Sequence, residues 1–394
     1  MPGTRIYLDW NATAPLRPEA RAAMLDAMDA VGNPSSVHAE GRAAKAIVER
    51  ARGQVAELVG CDPGEVVFTS GATEAAALAV AQKRRHGGRF LALGSEHDCL
   101  AVWSDEELPA LHDTEGVAFR GMQAILDAVL QPVGRVWAPD RGDTALVALS
   151  SANSETGLML PGGSVATDNR VHAFLGGTVP FAVVTDLVQH AGKVPVTFAN
   201  ADRPSYAILS AHKMGGPKGI GALINYKSHD LEPIQRGGGQ EMGRRSGTEN
   251  VIGIAGFGAA AEEAQRDLAA GVWDRVAELR NILENLLAES VKETIFVGKD
   301  AARLPNTSCF AVPGWKGETQ VMQMDLAGYA ISAGSACSSG KVRESRVLRA
   351  MAFPAEVASS AIRVSLGPTT TEDDIRGFAR AWIDHHRRRA SRRA

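Results

Sequence analysis

Through roughly its first 250 residues the chain alternates short, almost wholly apolar runs with longer stretches of helical periodicity. The runs are Glu65–Thr69, Arg89–Leu93, Ala145–Leu149, Phe181–Thr185 and Tyr206–Ser210. They are too short for helices and lack a polar alternate face, so they predict strands covered on both sides, the mark of a parallel sheet. The stretches Ala43–Leu58 and Glu74–Arg85 between them predict helices. Strand and helix in alternation imply a layered α/β unit. Beyond about Asn250 the texture changes. A long helical pattern from Ile252 to about Leu287, a mixed segment and a last helix over Glu372–Arg388 predict a second, smaller α+β unit.

Composition narrows the functional classes. The 394 residues carry 42 Lys+Arg against 45 Asp+Glu, a formal net charge of −3, which gives no electrostatic footprint for a nucleic acid. Only the tail, with Arg387, Arg388, Arg389, Arg392 and Arg393, is basic, and a solvated terminus accounts for it. The longest charge-free apolar stretches, such as Val251–Ala261, fall short of the roughly 18–20 residues a membrane span needs. Residues Met1–Trp10 lack a signal-peptide core. The four cysteines (Cys61, Cys99, Cys309, Cys337) are far apart and never C-x-x-C. A disulfide framework and a thiolate metal site are therefore not expected, and a reducing cytoplasm is.

Several candidate chemical groups fall at the carboxyl ends of predicted strands, where open α/β sheets bind ligands. Ser70-Gly71-Ala72-Thr73 follows one strand and opens a helix, an arrangement suited either to a phosphate or to a plain connection. Asp186 ends another strand; it reads as a helix cap or as the partner of a protonated ring nitrogen. Lys213 sits within Ser210-Ala-His-Lys-Met-Gly-Gly-Pro-Lys-Gly219, where small neighbours let an amine approach an aldehyde cofactor. Arg236–Glu241 and Arg244–Thr248 form a glycine-rich loop that is either flexible surface or a second phosphate or substrate contact. Cys337 lies in the small-residue run Ser332–Gly340, where an exposed thiolate can act as a nucleophile. Arg363, in an otherwise apolar strand-like run, needs a carboxylate from the protein or from a substrate. Gly256-Phe-Gly258 mimics a dinucleotide fingerprint but lies in a helical stretch without a preceding strand, and Gly192-Lys193 lacks the rest of a Walker loop.

Taken together and in order, these motifs resemble the cysteine desulfurases, pyridoxal-phosphate enzymes of the class V aminotransferase group. Further shared positions are Tyr7-Leu8-Asp9, Gly32–Ser36 with His38, Glu96-His97, Asn153 with Glu155 and Gly157, Gln189 and Gly192-Lys193, and Ile362-Arg363 with Ser365-Leu-Gly367. The resemblance implies the fold type I architecture: a large domain over residues 16–250 and a small one over 251–394, which residues 1–15 join. It implies that Lys213 holds the cofactor covalently and shuttles protons, that His97 stacks on the ring and assists the acid–base steps as a catalytic residue, and that Asp186 pairs with the ring nitrogen. Gln189 would contact the ring hydroxyl, and Asn153 and Ser154 would line the cofactor. Ala72, Thr73, Ser210 and His212 would bind the phosphate, with Thr248 reaching it from the second subunit of a homodimer. Arg363, helped by Asn33, would clamp the carboxylate of L-cysteine. Cys337 would take the sulfur as a persulfide for an acceptor protein such as an iron–sulfur scaffold, releasing alanine.

Two positions depart from that pattern. Ser154 stands where the family usually has a second asparagine, and Leu187 where it usually has an alanine packed on the ring face. The bulk of Leu187 is expected to tilt the ring or displace the backbone. A selenocysteine lyase, another class V enzyme and an inactive cofactor-binding relative are the alternatives.

Overall fold

The computed structural model describes residues 5–110, 112–114, 145–160, 181–198, 203–334 and 344–391; Cys337 lies outside them. The strands of the larger sheet are β2 (Val66–Thr69), β3 (Phe90–Leu93), β4 (Glu107–Leu108), β5 (Leu146–Ser150), β6 (Ala182–Asp186), β7 (Tyr206–Ser210) and β8 (Gly221–Ile224). Their spatial order is β2-β8-β7-β6-β5-β3-β4. The run from β7 to β4 is parallel, while β8 is antiparallel to both β7 and β2. All five predicted strands form, within a residue or so of the expected bounds.

Alternation of period two explains their apolar character. In β7, Ala207 and Leu209 enter one buried cluster while Tyr206 and Ile208 enter the cluster on the opposite face. In β8, Ala222 and Ile224 face the first and Leu223 the second. A strand buried on both faces has no use for polar positions.

The first cluster is closed by α2 (Ala39–Val59) packed on α5 (Val251–Ala269), with α1 (Pro18–Met28) beside them. The second is closed by α3 (Ala72–Ala81). A Cβ on Gly258 of α5 would come within 2.6 Å of the Ala51 backbone in α2. The glycines of the false dinucleotide pattern thus serve close helix packing.

The long helix expected over Ile252–Leu287 is a correction. It is two helices, α5 and α6 (Val272–Ser290), broken at Gly271, whose φ of 67° is a left-handed conformation that glycine adopts without strain. The second sheet runs β12 (Ser332–Ala333), β13 (Ala361–Ser365), β10 (Thr307–Ala311) and β9 (Ile295–Phe296), antiparallel throughout. It has its own core, with Phe310, Trp315, Phe378 and Trp382 fully buried against α6 and α7 (Glu372–Ser391). The chain's beginning is stitched to this region: β1 (Ile6–Tyr7) pairs in parallel with β11 (Tyr329–Ala330), and Asp9 bridges to Ser365. No described helix is long and apolar enough to cross a membrane, and no described cluster of His, Cys, Asp and Glu could hold a metal.

Candidate active site

The parallel strands point their carboxyl ends to one edge of the sheet, so β6 and β7 deliver Asp186 and Ser210 side by side. A short 3-10 turn, Ala211–Lys213, follows β7 and carries the lysine. Lys213 Nζ donates to the main-chain carbonyls of Asn11 (2.8 Å) and Ala12 (2.9 Å). The turn at residues 9–13 is itself held from both sides: Ala14 N donates to His212 O and Asn11 N to Ser365 Oγ. The lysine therefore meets the chain's beginning exactly where the two sheets are tied together.

Asp186 is buried, and among the described residues its carboxylate receives one hydrogen bond, from Val188 N–H to Oδ1 at 2.8 Å. Burial raises its pKa, opposed by the nearby His97 and Lys213. That leaves a carboxylate with spare accepting capacity beside an amine. His97 caps the one-turn helix Asp98–Ala101 by accepting from Cys99 N–H, and the residue is exposed. His212 shares a hydrogen bond with Thr13 Oγ1 (3.1 Å) and is pushed down to about 4 by burial and by Lys213 and Lys218. It is neutral near pH 7. Across from it, α3 begins at Ala72, with Ala72 half-buried and Thr73 exposed. Gly221 must stay glycine, because a Cβ there would lie 2.7 Å from the Gly71 backbone. That close approach presses β8 against the turn that opens α3.

Other expected residues have prior commitments. Asn153 donates from Nδ2 to Ser95 O and accepts through Oδ1 from the N–H groups of Glu155 and Thr156, so its amide builds a turn. Ser154 contributes its carbonyl, which accepts from Arg363 Nη1 at 2.8 Å. Of the two readings of Arg363, the structure supplies the protein carboxylate: Nη2 pairs with Asp9 Oδ1 at 2.8 Å, while buried Nε has no partner among the described residues. Asn33 is exposed, with Oδ1 taken by Ser35 N–H, and Thr248 is exposed. Leu187 is a correction: it is 0% exposed within the cluster that includes Ala207, Leu209 and Met214, so its bulk is absorbed by the core rather than offered to the site.

The glycine-rich loop is also anchored rather than flexible. Glu241 receives a bidentate pair from Arg52 (2.8 and 2.9 Å) and the Phe68 N–H, all buried, while Arg52 also donates to Val66 O. Arg245 pairs with Glu74 on α3. Glu241 holds a left-handed φ of 47°, a strained conformation for a side-chain-bearing residue, against that anchor. Replacing Glu241 by alanine leaves the buried Arg52 with only the half-exposed Glu49, at 3.2 Å, as a carboxylate partner. A loss of about 3–5 kcal/mol in urea unfolding is expected.

Two further buried carboxyls lie near these groups, Glu96 by Asp186 and His97 and Glu155 by Arg363. Glu96 accepts from Ser150 N–H and Oγ and is pushed up to about 7, chiefly by burial. Glu155, likewise raised to about 7 by burial, bonds Ser345 and leaves Oε1 without a partner among the described residues. It touches Gly334, where a Cβ would lie 2.2 Å from Oε1. Because both pKa values are raised in the fold, the folded chain keeps protons that the unfolded chain has released. Their stabilisation is complete below the ordinary carboxylate range and is lost as pH rises to about 7, by about 3 kcal/mol per group. Urea midpoints measured from about pH 5 to about pH 7.5 should fall, and Glu155→Gln should flatten the slope.

Sequence reasoning missed Asn11 and Asp9 as site residues and gave Lys193 no role of its own. Spacing carries no signal for them, since Asn11 reaches the lysine across 202 positions of chain.

A parallel-centred sheet presenting a lysine and a buried aspartate at adjacent strand ends defines the class: an α/β protein with its candidate site at the carboxyl edge of the sheet. The sequence matches the profile of the aminotransferase class-V family over residues 6–378, and the chain belongs to that family. It is 39% identical to the cysteine desulfurase of Cereibacter sphaeroides over 380 residues, 94% of this chain and 93% of the relative. It is 41% identical to the cysteine desulfurase of Frankia sp. (strain EuIK1) over 389 residues, 95% of this chain and 89% of that one. Among solved structures, the NifS-like protein from Rickettsia africae superposes with a TM-score of 0.81 at 28% identity, covering 97% of this chain and 99% of its own. SspA in complex with cysteine superposes at 0.69 with 25% identity, covering 93% of this chain and all of its own.

Proposed function

We infer that the chain is a pyridoxal-phosphate-dependent cysteine desulfurase, converting L-cysteine to L-alanine with the sulfur left on Cys337. The observation that carries this reading is the placement of Lys213 and the buried Asp186, close enough to feel each other's charge, at neighbouring strand ends in a chain that also keeps the cysteine of the Gly334–Cys337 motif. The residues fit the cofactor. The lone hydrogen bond on Asp186 leaves room for a cationic ring nitrogen, and the first turn of α3 with Ser210 and neutral His212 offers donors for a phosphate. When bound, pyridoxal phosphate supplies an electron sink that stabilises negative charge at the substrate Cα.

The chain's own groups do the rest. Asp186 keeps the ring nitrogen charged; a neutral partner would not. Lys213, held by hydrogen bonds to two main-chain carbonyls, can leave them to take or return a proton at Cα. Arg363, aimed by Asp9 and the Ser154 carbonyl, is the cation placed for a substrate carboxylate, which would take the place of the partners of its outer nitrogens. Cys337 then takes the sulfur as a persulfide while alanine leaves. Thr248, exposed here, suits the phosphate site of a second copy, so a homodimer is the working assembly. An acceptor protein such as an iron–sulfur scaffold would collect the sulfur, in the cytoplasm.

Purified protein loaded with pyridoxal phosphate should release alanine from L-cysteine under reductant. Bound cofactor without alanine would sink the reading. Parallel assays with selenocysteine, where a selective response would appear, separate it from a selenocysteine lyase.

A further inference from the structure

Lys193 is buried, 4% exposed, although nothing in the chemistry above uses it. Its amine donates to Gln189 Oε1 at 2.6 Å and to Asn11 Oδ1 at 3.2 Å. Burial, helped by the charges of Lys213 and Arg363, lowers its pKa. The two hydrogen bonds need only two N–H donors, so they persist whether or not the amine is charged. Gly192, with φ of 78° and a would-be Cβ 2.9 Å from Ala264, makes the turn that sends the lysine back over Gln189.

The consequence falls on the Gln189 amide. With its oxygen facing an amine donor, its nitrogen must face the other way. Nε2 donates to the Asn11 carbonyl at 2.9 Å, the same oxygen that accepts from Lys213 Nζ at 2.8 Å. The Gln189 nitrogen and the Lys213 amine thus converge on one atom. Each Nε2 has two hydrogens, so one remains for a ligand beside Lys213. Asn11 is itself held in place, donating to Thr307 Oγ1 and accepting from Asn306 Nδ2, both buried.

We propose that Lys193 is a positioning residue, holding the Gln189 amide so that it presents a donor, never an acceptor, to the ring oxygen of the bound cofactor. The proposal rests on the pyridoxal-phosphate reading. A donor at that oxygen favours its anionic form and so sets the pH at which the bound chromophore changes. A lysine that only filled a buried polar site would not act through Gln189.

The test is a double-mutant cycle on the cofactor-loaded protein, read by the pH midpoint of its visible absorption change. Lys193→Met and Gln189→Ala should each raise the midpoint by about one pH unit, a tenfold change in the proton equilibrium. The double variant should go no further than either single one. Additive shifts, or a wild-type midpoint in Lys193→Met, would overturn the proposal. If Lys193→Met does not accumulate folded, Lys193→Gln reads the same band, and failure of both assigns the lysine to stability alone and overturns it. A wild-type protein with no visible cofactor band would instead overturn the cofactor reading itself, a different result from a band that Lys193→Met leaves in place.

Discussion

Lys213→Ala is expected to lower alanine release from L-cysteine by about 10⁴-fold or more, with the protein still folded. The size follows from the two tasks that the proposed reading gives the amine, covalent attachment of the cofactor and proton transfer at the substrate Cα, with no described neighbour placed to assume either. Lys193 shares Asn11 with Lys213 as a hydrogen-bond partner, and its bonds to Gln189 and Asn11 tie it down in the buried network. Lys218 lies five residues on, at an exposed position. The fold should tolerate the change because Lys213 is only half-buried and its partners are two main-chain carbonyls that water can reach once the side chain is gone. Amino-acid analysis of the product, beside circular dichroism of the variant, checks both halves. Retention of more than about a hundredth of the activity would mean that the lysine is not the group that moves the proton.

Cys337→Ala is expected to abolish sulfur transfer while leaving cofactor binding intact. The other three cysteines cannot stand in. Burial pushes the Cys61 thiol up to about 12 and raises those of Cys99 and Cys309 as well. A thiol near 12 is ionised to roughly one part in 10⁴ or less near neutral pH, and the thiolate is the nucleophile. Native wild-type protein should accordingly show one fast-alkylating cysteine and the variant none. Rapid alkylation in the Cys337→Ala protein would mean that another thiol is exposed and activated, against the burial of Cys99 and Cys309.

The strands were legible because burial on both faces writes itself into composition: Phe181–Thr185 and Tyr206–Ser210 leave no polar register to misread. The break at Gly271 was not, since the apolar period continues across it and only the packing of α5 and α6 against different cores requires the turn. Leu187 misled for a related reason. A position named by its place in a motif says nothing of which way its side chain points, and the core claims this one. The residues of the glycine loop left a flexible surface open as one reading, but Glu241 through Arg52 and Arg245 through Glu74 pin it.

By itself the sequence determined the α/β layering and the strand ends at which reactive residue types fall, and it singled out Lys213, Asp186 and Cys337 as candidates, because layering depends on local periodicity and candidates on residue types with distinctive reactivity. The tertiary structure alone decided what orients them. Asn11 joins Lys213, Gln189, Lys193 and Asn306 from nearly 200 or more positions away for all but itself, and Asp9 meets Arg363 across 354. Such contacts arise from how two sheets are tied together at the chain's beginning, and hydrogen bonds made by ordinary amides and carbonyls leave no periodic or compositional trace.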